Sequence, residues 1–338
     1  MTRVRRPEMI VDAHLDIAWN AVAQGLPFDR PTPDFVVSRP ALAEAGVGLI
    51  FATLFCAPAR AGKLAGRFTY RTPREANLMA RAQLGWYGSA GPPLIRDRTE
   101  LDRHRRGWRP GKLAAVLLME GADPIRKPAE VAWWQKRGVR IIGPAWSGTR
   151  YAGGTGEPGG LTSRGVKLLL AMARERLILD LSHLADEALR DALQLWQGPL
   201  IASHSNARAI VPGDRQVADS VAAELGRRGG MLGVSLYRRH LRADNRPARL
   251  EDVVRHLRHL ARVAGGPEHV GLGSDLDGGF KASEAAIRRE GQLSRLGQLL
   301  QRHFSAHEVE GIMGANWLEF LGRSLPPAPS EARPARSR

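Results

Sequence analysis

The chain has 338 residues, of which 43% are hydrophobic, enough to bury a real core in one large barrel or two ordinary domains. No stretch approaches the roughly 18–20 apolar residues of a membrane span, and a single cysteine, Cys56, rules out disulfides within the chain. The formal charge of +16 comes almost entirely from scattered arginines, as in "RDRTELDRHRRGWR" (96–109) and "RRHLRADNRPARLEDVVRHLRHLARV" (238–263). In the second stretch Val253, Val254, Leu257 and Leu260 fall on one helical face, so the arginines read as a solvated face and not as a nucleic-acid site. No zinc finger, basic zipper or RNP-type motif argues otherwise.

Only eight residues, Arg3, Arg5 and Arg6 among them, precede the first apolar run, which leaves no room for a secretory leader and cleavage site. With one cysteine and a reducing compartment the better fit, a soluble cytoplasmic protein is expected.

In chain order, eight apolar runs of strand length recur: 9–14, 47–55, 113–120, 139–145, 177–183, 199–205, 230–236 and 269–275. Most are near-continuously apolar, as strands covered on both faces of a parallel sheet should be. Helical patterns lie between them at 74–87, 130–137, 163–175, 185–196, 217–227, 250–263 and 284–302, with Asp186 and Asp219 near helix starts, where carboxylates meet free N–H groups. Eight alternations predict an α/β fold, a (β/α)8 TIM-type barrel, with a doubly wound open sheet as the alternative. Without repeat or linker, residues 1–323 are expected to form one domain. The Pro-, Ala-, Ser- and Arg-rich segment 324–338 is expected to be a disordered tail. The glycine-rich "GGTGEPGG" (153–160) lacks a P-loop ending and reads as an active-site loop.

The first run leads into His14 and Asp16, two apart and therefore on one strand face. The third ends in Glu120, the fifth in His183, the sixth in His204 and the eighth in Asp275. In a parallel barrel the carboxyl ends of the strands carry the active site. Imidazoles and carboxylates without clustered cysteine suit zinc or a similar divalent ion. Three imidazoles and up to three carboxylates exceed the needs of one tetrahedral ion. Two ions sharing a bridging carboxylate, with a bridging water or hydroxide, are the economical arrangement. Asp275 could then move the proton, and hydrolysis is the reaction class. Ser182 and Ser203 precede histidines outside any nucleophile elbow and are expected to support the ligands by hydrogen bonds. Cys56 reads as a buried structural thiol, and "SDLDGG" (274–279) as an incomplete calcium loop.

The segments "DAHLD" (12–16), "MEG" (119–121), "LDLSH" (179–183), "ASHSNAR" (202–208) and "GLGSDLDGG" (271–279) occur in an order that resembles the membrane (renal) dipeptidase family, peptidase family M19. The resemblance implies a (β/α)8 barrel that hydrolyses dipeptides with two zinc ions. His14 and Asp16 would bind the first ion, Glu120 would bridge, and His183 and His204 would bind the second. Asp275 would be the catalytic acid/base, and Arg215, in "PGDRQV", would hold the substrate carboxylate through its planar fork. A small-molecule substrate is implied, with no specific nucleic acid and no membrane, and a homodimer would be typical. The fourth run contains no lysine to bridge metals, which favours the dipeptidase-like branch over lactonase-like or dihydroorotase-like ones. One departure stands out: the family's substrate-touching histidine after the fourth strand aligns with Ala145, with Trp146, Arg150 or Tyr151 nearby as stand-ins. This keeps a related amide, lactone or ester hydrolase as the alternative.

Overall fold

The computed structural model describes residues 9–60, 68–244 and 246–328. Each of the eight apolar runs becomes one stave of a closed parallel barrel. The strands are β1 (Ile10–Leu15), β2 (Val47–Phe55), β3 (Ala114–Glu120), β4 (Val139–Gly143), β5 (Ile178–Asp180), β6 (Leu200–Ala202), β7 (Met231–Val234) and β8 (Val270–Leu272). They pair in sequence order and close through Asp12 opposite Leu272. The chain is therefore a (β/α)8 barrel of TIM type.

One buried cluster takes residues from seven strands: Val11 and Ala13, Leu49 and Phe51, Val116 and Leu118, Ile141, Ile178, Ile201 and Met231. Side chains contributed from all round a closed sheet fill its interior. The eighth strand contributes Gly271, where a Cβ would collide with the Trp317 indole. Trp317 takes that space, packs on Phe51 at 5.0 Å between ring centroids and donates Nε1–H to Leu272 O at 3.0 Å. The opposite strand faces carry a second cluster packed on the surrounding helices. Helix Leu250–Ala264 shows how: Val253, Val254, Leu257 and Leu260 are all buried, as their spacing predicts.

Two expectations need correction. The pattern over 284–302 predicts one helix, but 3-10 turns at Ala282–Glu284 and Glu290–Gln292 precede a helix confined to Leu293–Leu300. Tertiary hydrogen bonding claims the backbone between them. Ala285 bridges to Tyr237, Ala286 N–H donates to Leu236 O at 2.9 Å, and the Gln292 side chain accepts from Arg288 N at 2.6 Å. The first residues of the expected tail are instead part of the fold. Ser324 closes helix Asn316–Ser324, Leu325 is buried, and Arg98 donates to Leu325 O at 2.7 Å and to Pro326 O at 3.0 Å. Residues 329–338 of that expected tail lie outside the described residues.

Candidate metal centre

All six ligand-type residues come together at the carboxyl rim of the barrel. Simple alternation does not bring His14 and Asp16 there. A register shift between Asp12 and Leu15 interrupts the pleat, and Asp16 lies past the strand, at the entry to helix Ile17–Gln24. Buried Asp12 secures this ending by accepting from His14 N at 3.2 Å and Ser274 N at 2.8 Å, which ties β1 to the loop after β8. Asp16 in turn accepts from the Thr53 hydroxyl of β2. His183 and Asp275 hold left-handed backbone, φ 69° and 60°. Such conformations cost of order 1–3 kcal/mol each in a side-chain-bearing residue and concentrate at functional sites.

Glu120, ending β3, is the hub. Its Oε2 lies 3.4 Å from His14 Nε2, and its Oε1 lies 3.1 Å from His183 Nε2 and 3.3 Å from His204 Nε2. The His183 and His204 Nε2 atoms are 3.0 Å apart, and His14 Nε2 is 4.0 Å from Asp16 Oδ1. Three overlapping groups each place their ligand atoms within 4.8 Å of one another: His14, Asp16 and Glu120; Glu120, His183 and His204; and His14, His204 and Asp275.

The imidazole tautomers follow from one serine. Ser203 Oγ contacts Asp180 Oδ2 at 2.6 Å, His204 Nδ1 at 2.8 Å and His14 Nδ1 at 3.3 Å. A hydroxyl has one proton, and a carboxylate can only accept it. Ser203 therefore donates to Asp180 and accepts Nδ1–H from both histidines. This leaves the Nε2 atoms of both rings directed at Glu120 and its neighbours. Asp180 is itself fixed by accepting from Ser182 N at 3.0 Å and Ser203 N at 2.9 Å. Such outer hydrogen bonds orient metal-binding imidazoles. Among the described residues His14 Nε2 is left buried with no hydrogen-bond partner.

Charge in this cluster is out of balance. Burial would push His14 down, but the facing Glu120 carboxylate overrides it and lifts the imidazole to about 10. Burial would likewise raise Glu120, yet the histidines, His14 first, hold it well below the usual carboxylate range. His183 drops to about 4 through burial and Arg215, and His204 falls well below its ordinary value through burial and His14. Burial and Glu120 push Asp16 up to about 6. Asp275 is driven well above the carboxylate range by burial, then by Asp16 and Glu120, against opposing pulls from His14 and Arg215. More carboxylate is buried than neutral imidazoles can offset, and a proton on His14 stands in for a cation. The donor set fits divalent metal in both charge and ligand type.

A family model described as membrane dipeptidase (peptidase family M19) matches residues 1–324. The chain belongs to that family. An uncharacterized dipeptidase of Schizosaccharomyces pombe is 31% identical over 221 residues, which cover 62% of this chain and 52% of the relative. Dipeptidase tcpJ of Claviceps purpurea is 32% identical over 238 residues, 68% of this chain and 56% of the relative. The chain thus spans about half the length of these curated relatives. A solved metallopeptidase from Rhodobacter sphaeroides, carrying a phosphinate mimic of L-Ala-D-Ala, superposes with a TM-score of 0.82 at 25% identity, covering 94% of this chain and all of that one.

In this member of the membrane dipeptidase family the centre opens into a cavity of about 410 Å³. Trp19, Phe55 and Trp146 form one aromatic wall, with Phe55 5.8 Å from Trp19 and 5.2 Å from Trp146, ring to ring. Tyr237 and Phe280, stacked at 4.3 Å, form another. Arg215 also lines the cavity, anchored by donating to His204 O at 2.8 Å and Ser205 Oγ at 3.3 Å, while its buried Nε–H has no partner among the described residues. Ala145 is buried in the helix-facing core. Of its neighbours only Trp146 reaches the cavity, because Arg150 turns to Asp123 and Tyr151 donates to Ile125 O. The glycine-rich 153–160 segment forms a hairpin whose Thr155 meets His183 Nδ1 at 3.0 Å.

Other motifs resolve as structure. Cys56 is buried against Ala76 O, and burial drives its thiol upward. Asp277 spends its carboxylate on Val36 N and Val37 N. Asp12, Asp180, Thr155 and His240 were missed as site residues. Asp180 sits within "LDLSH", where its place two residues before Ser182 was the available signal.

Proposed function

We propose that the chain is a binuclear metal-dependent dipeptidase, with zinc the expected ion. The observation that carries this reading is the convergence of three imidazoles and three carboxylates from five strand ends into one cluster, all of whose members but the fully buried His14 line a cavity that Arg215 also lines. His14 and Asp16 would hold one ion, His183 and His204 the other, with Glu120 shared between them. When bound, the metals would supply Lewis-acid polarisation and a nucleophile at neutral pH.

The protein's own groups would do the rest. Arg215 would orient the substrate carboxylate, since a guanidinium fork matches a carboxylate's two oxygens. Asp275 would carry a proton between the attacking and departing groups. The aromatic walls would exclude water and accept substrate side chains. The dipeptide mimic bound by the Rhodobacter relative supports a dipeptide substrate, including one with a D-residue at its C-terminal side. A reducing, cytoplasmic setting accords with the single buried thiol, and among the described residues no helix is long and apolar enough to cross a membrane.

A second reading, hydrolysis of another amide, lactone or ester in the same centre, is favoured by Ala145. No polar side chain of segment 145–151 reaches the cavity apart from the Trp146 indole. Metal analysis paired with a dipeptide panel on one purified sample decides. About two equivalents of metal and turnover of several dipeptides are expected. A metal-loaded enzyme that hydrolyses none of them removes the dipeptidase reading, and absence of bound metal after zinc-supplemented purification removes both.

A further inference from the structure

The glycine-rich segment 153–160 reads as an active-site loop, and the structure fixes its tip from three directions. The hairpin strands Ala152–Gly154 and Glu157–Leu161 leave Thr155 and Gly156 at the turn. Thr155 N–H donates at 3.0 Å to Trp146 O, in the loop after β4. Ala185 N–H, after β5, donates to Gly153 O at 3.2 Å, and Gly154 bridges to Leu184. Gly156 N–H donates at 2.7 Å to the carboxylate of Asp214, the neighbour of Arg215. Gly154 permits the approach, since a Cβ there would collide with the Ser147 backbone. So held, Thr155 sets its hydroxyl 3.0 Å from His183 Nδ1 and 3.5 Å from His183 O.

The three imidazoles are therefore supported in two different ways. The Ser203 proton is committed to the Asp180 carboxylate, which keeps His14 and His204 in one tautomer. Thr155 has no carboxylate to hold its proton. With that proton turned to His183 O, the hydroxyl accepts Nδ1–H, and His183 Nε2 presents a lone pair. With it turned to Nδ1, His183 carries Nε2–H, which meets Glu120 Oε1 at 3.1 Å. The first arrangement is the metal-binding form of the ring. The second satisfies the ring without a cation. One rotating hydroxyl serves both, and among the described residues Nδ1 has no other hydrogen-bond partner.

We propose that Thr155 is a positioning residue for His183, and that its uncommitted proton makes the His183 side of the centre the more readily exchanged one. The assignment rests on the binuclear reading. Burial points the same way: Ser203 and Asp180 are buried, whereas Thr155 is half-buried at the cavity wall. Without the hydroxyl, Nδ1–H would have no acceptor. The ring would then settle as the Nε2–H tautomer, whose lone pair faces away from the site.

The test is chelator competition on zinc-loaded full-length enzyme, with released and bound zinc measured by elemental analysis. Wild-type enzyme should release its two equivalents in two steps. Thr155→Val, which keeps the shape and removes the hydroxyl, should weaken only the looser step, by about 10–100-fold. Thr155→Ser should restore it. The unmoved tighter step shows that the variant is folded. With excess zinc, kcat of Thr155→Val on a dipeptide should return to within about twofold of wild type. Equal weakening of both steps, no weakening, or failure of serine to rescue overturns the role of the hydroxyl. A kcat loss that excess zinc leaves in place also overturns it. Wild-type release in a single step overturns the asymmetry. Wild-type enzyme that holds fewer than two equivalents overturns the binuclear reading and this assignment together, whereas two-step release with an indifferent valine variant overturns Thr155 alone.

Discussion

Within the barrel, the apolar interior and the carboxyl rim are built from the same strands in different ways. In the interior Val11, Phe51, Leu118 and Ile201 of the strands are buried, and Trp317, from helix Asn316–Ser324, has the only polar group of its ring matched by Leu272 O. At the rim, further along the same strands or just past their ends, His14, Glu120, His204 and Asp275 are also buried but carry charge or lone pairs that nothing neutral satisfies. Left-handed backbone at His183, Asp275 and Asp277 belongs to the rim as well. Dry packing stabilises by excluding water from apolar surface. The rim draws on that stability to hold like charges and strained residues where a cation and a substrate can relieve them.

The largest effect should come from the rim. Asp275→Asn is expected to lower kcat by roughly 10²–10⁴-fold, the usual scale of a lost acid/base, with bound metal retained by elemental analysis. A variant that keeps most of its kcat would show that Asp275 is a ligand or spectator. In the interior the complementary change is Trp317→Ala, which should cost about 3–5 kcal/mol of stability by denaturant titration. The folded fraction should keep wild-type metal stoichiometry. Loss of metal at unchanged stability would erase the distinction between the two regions.

His256 joins them, because it accepts Ala207 N–H after β6 at 3.0 Å and meets Leu241 O at 3.2 Å. Burial pushes this imidazole down from 6.5 to about 4. The unfolded chain then takes the proton more readily than the folded one, so this contribution is intact above about pH 6.5 and is lost as pH falls toward 4. The loss should reach about 3 kcal/mol and should vanish from urea midpoints in His256→Gln. Equal pH slopes in the two proteins would dismiss it.

The smallest effect sharpens the comparison. Ser203→Ala removes the hydroxyl that orients His14 and His204, and should weaken metal affinity about 10–100-fold in chelator competition. Wild-type affinity in that variant would mean the imidazoles are oriented by packing alone.

The apolar runs read the barrel correctly because every strand is covered on both faces, so burial is written continuously along each one. The six ligand-type residues were legible for a related reason: a polar, metal-competent side chain at the end of such a run has no local structural use. The helix expected over 284–302 failed because Ala285 and Ala286 bond to Tyr237 and Leu236, partners some fifty residues away that no local periodicity reports. His240 was hidden by the arginines around it, whose charge suggested solvent.

What the sequence determined by itself was the number of strands, their order, and which of them end in groups able to bind a cation, since each of these is a property of one short segment. The tertiary structure alone decided which ring nitrogens are free, that Ser203 bridges Asp180 to two histidines, and that His240 lines the same cavity as Arg215. Those facts depend on pairs as distant as His14 and Ser203, 189 residues apart, and such pairs meet only when the barrel closes in one register.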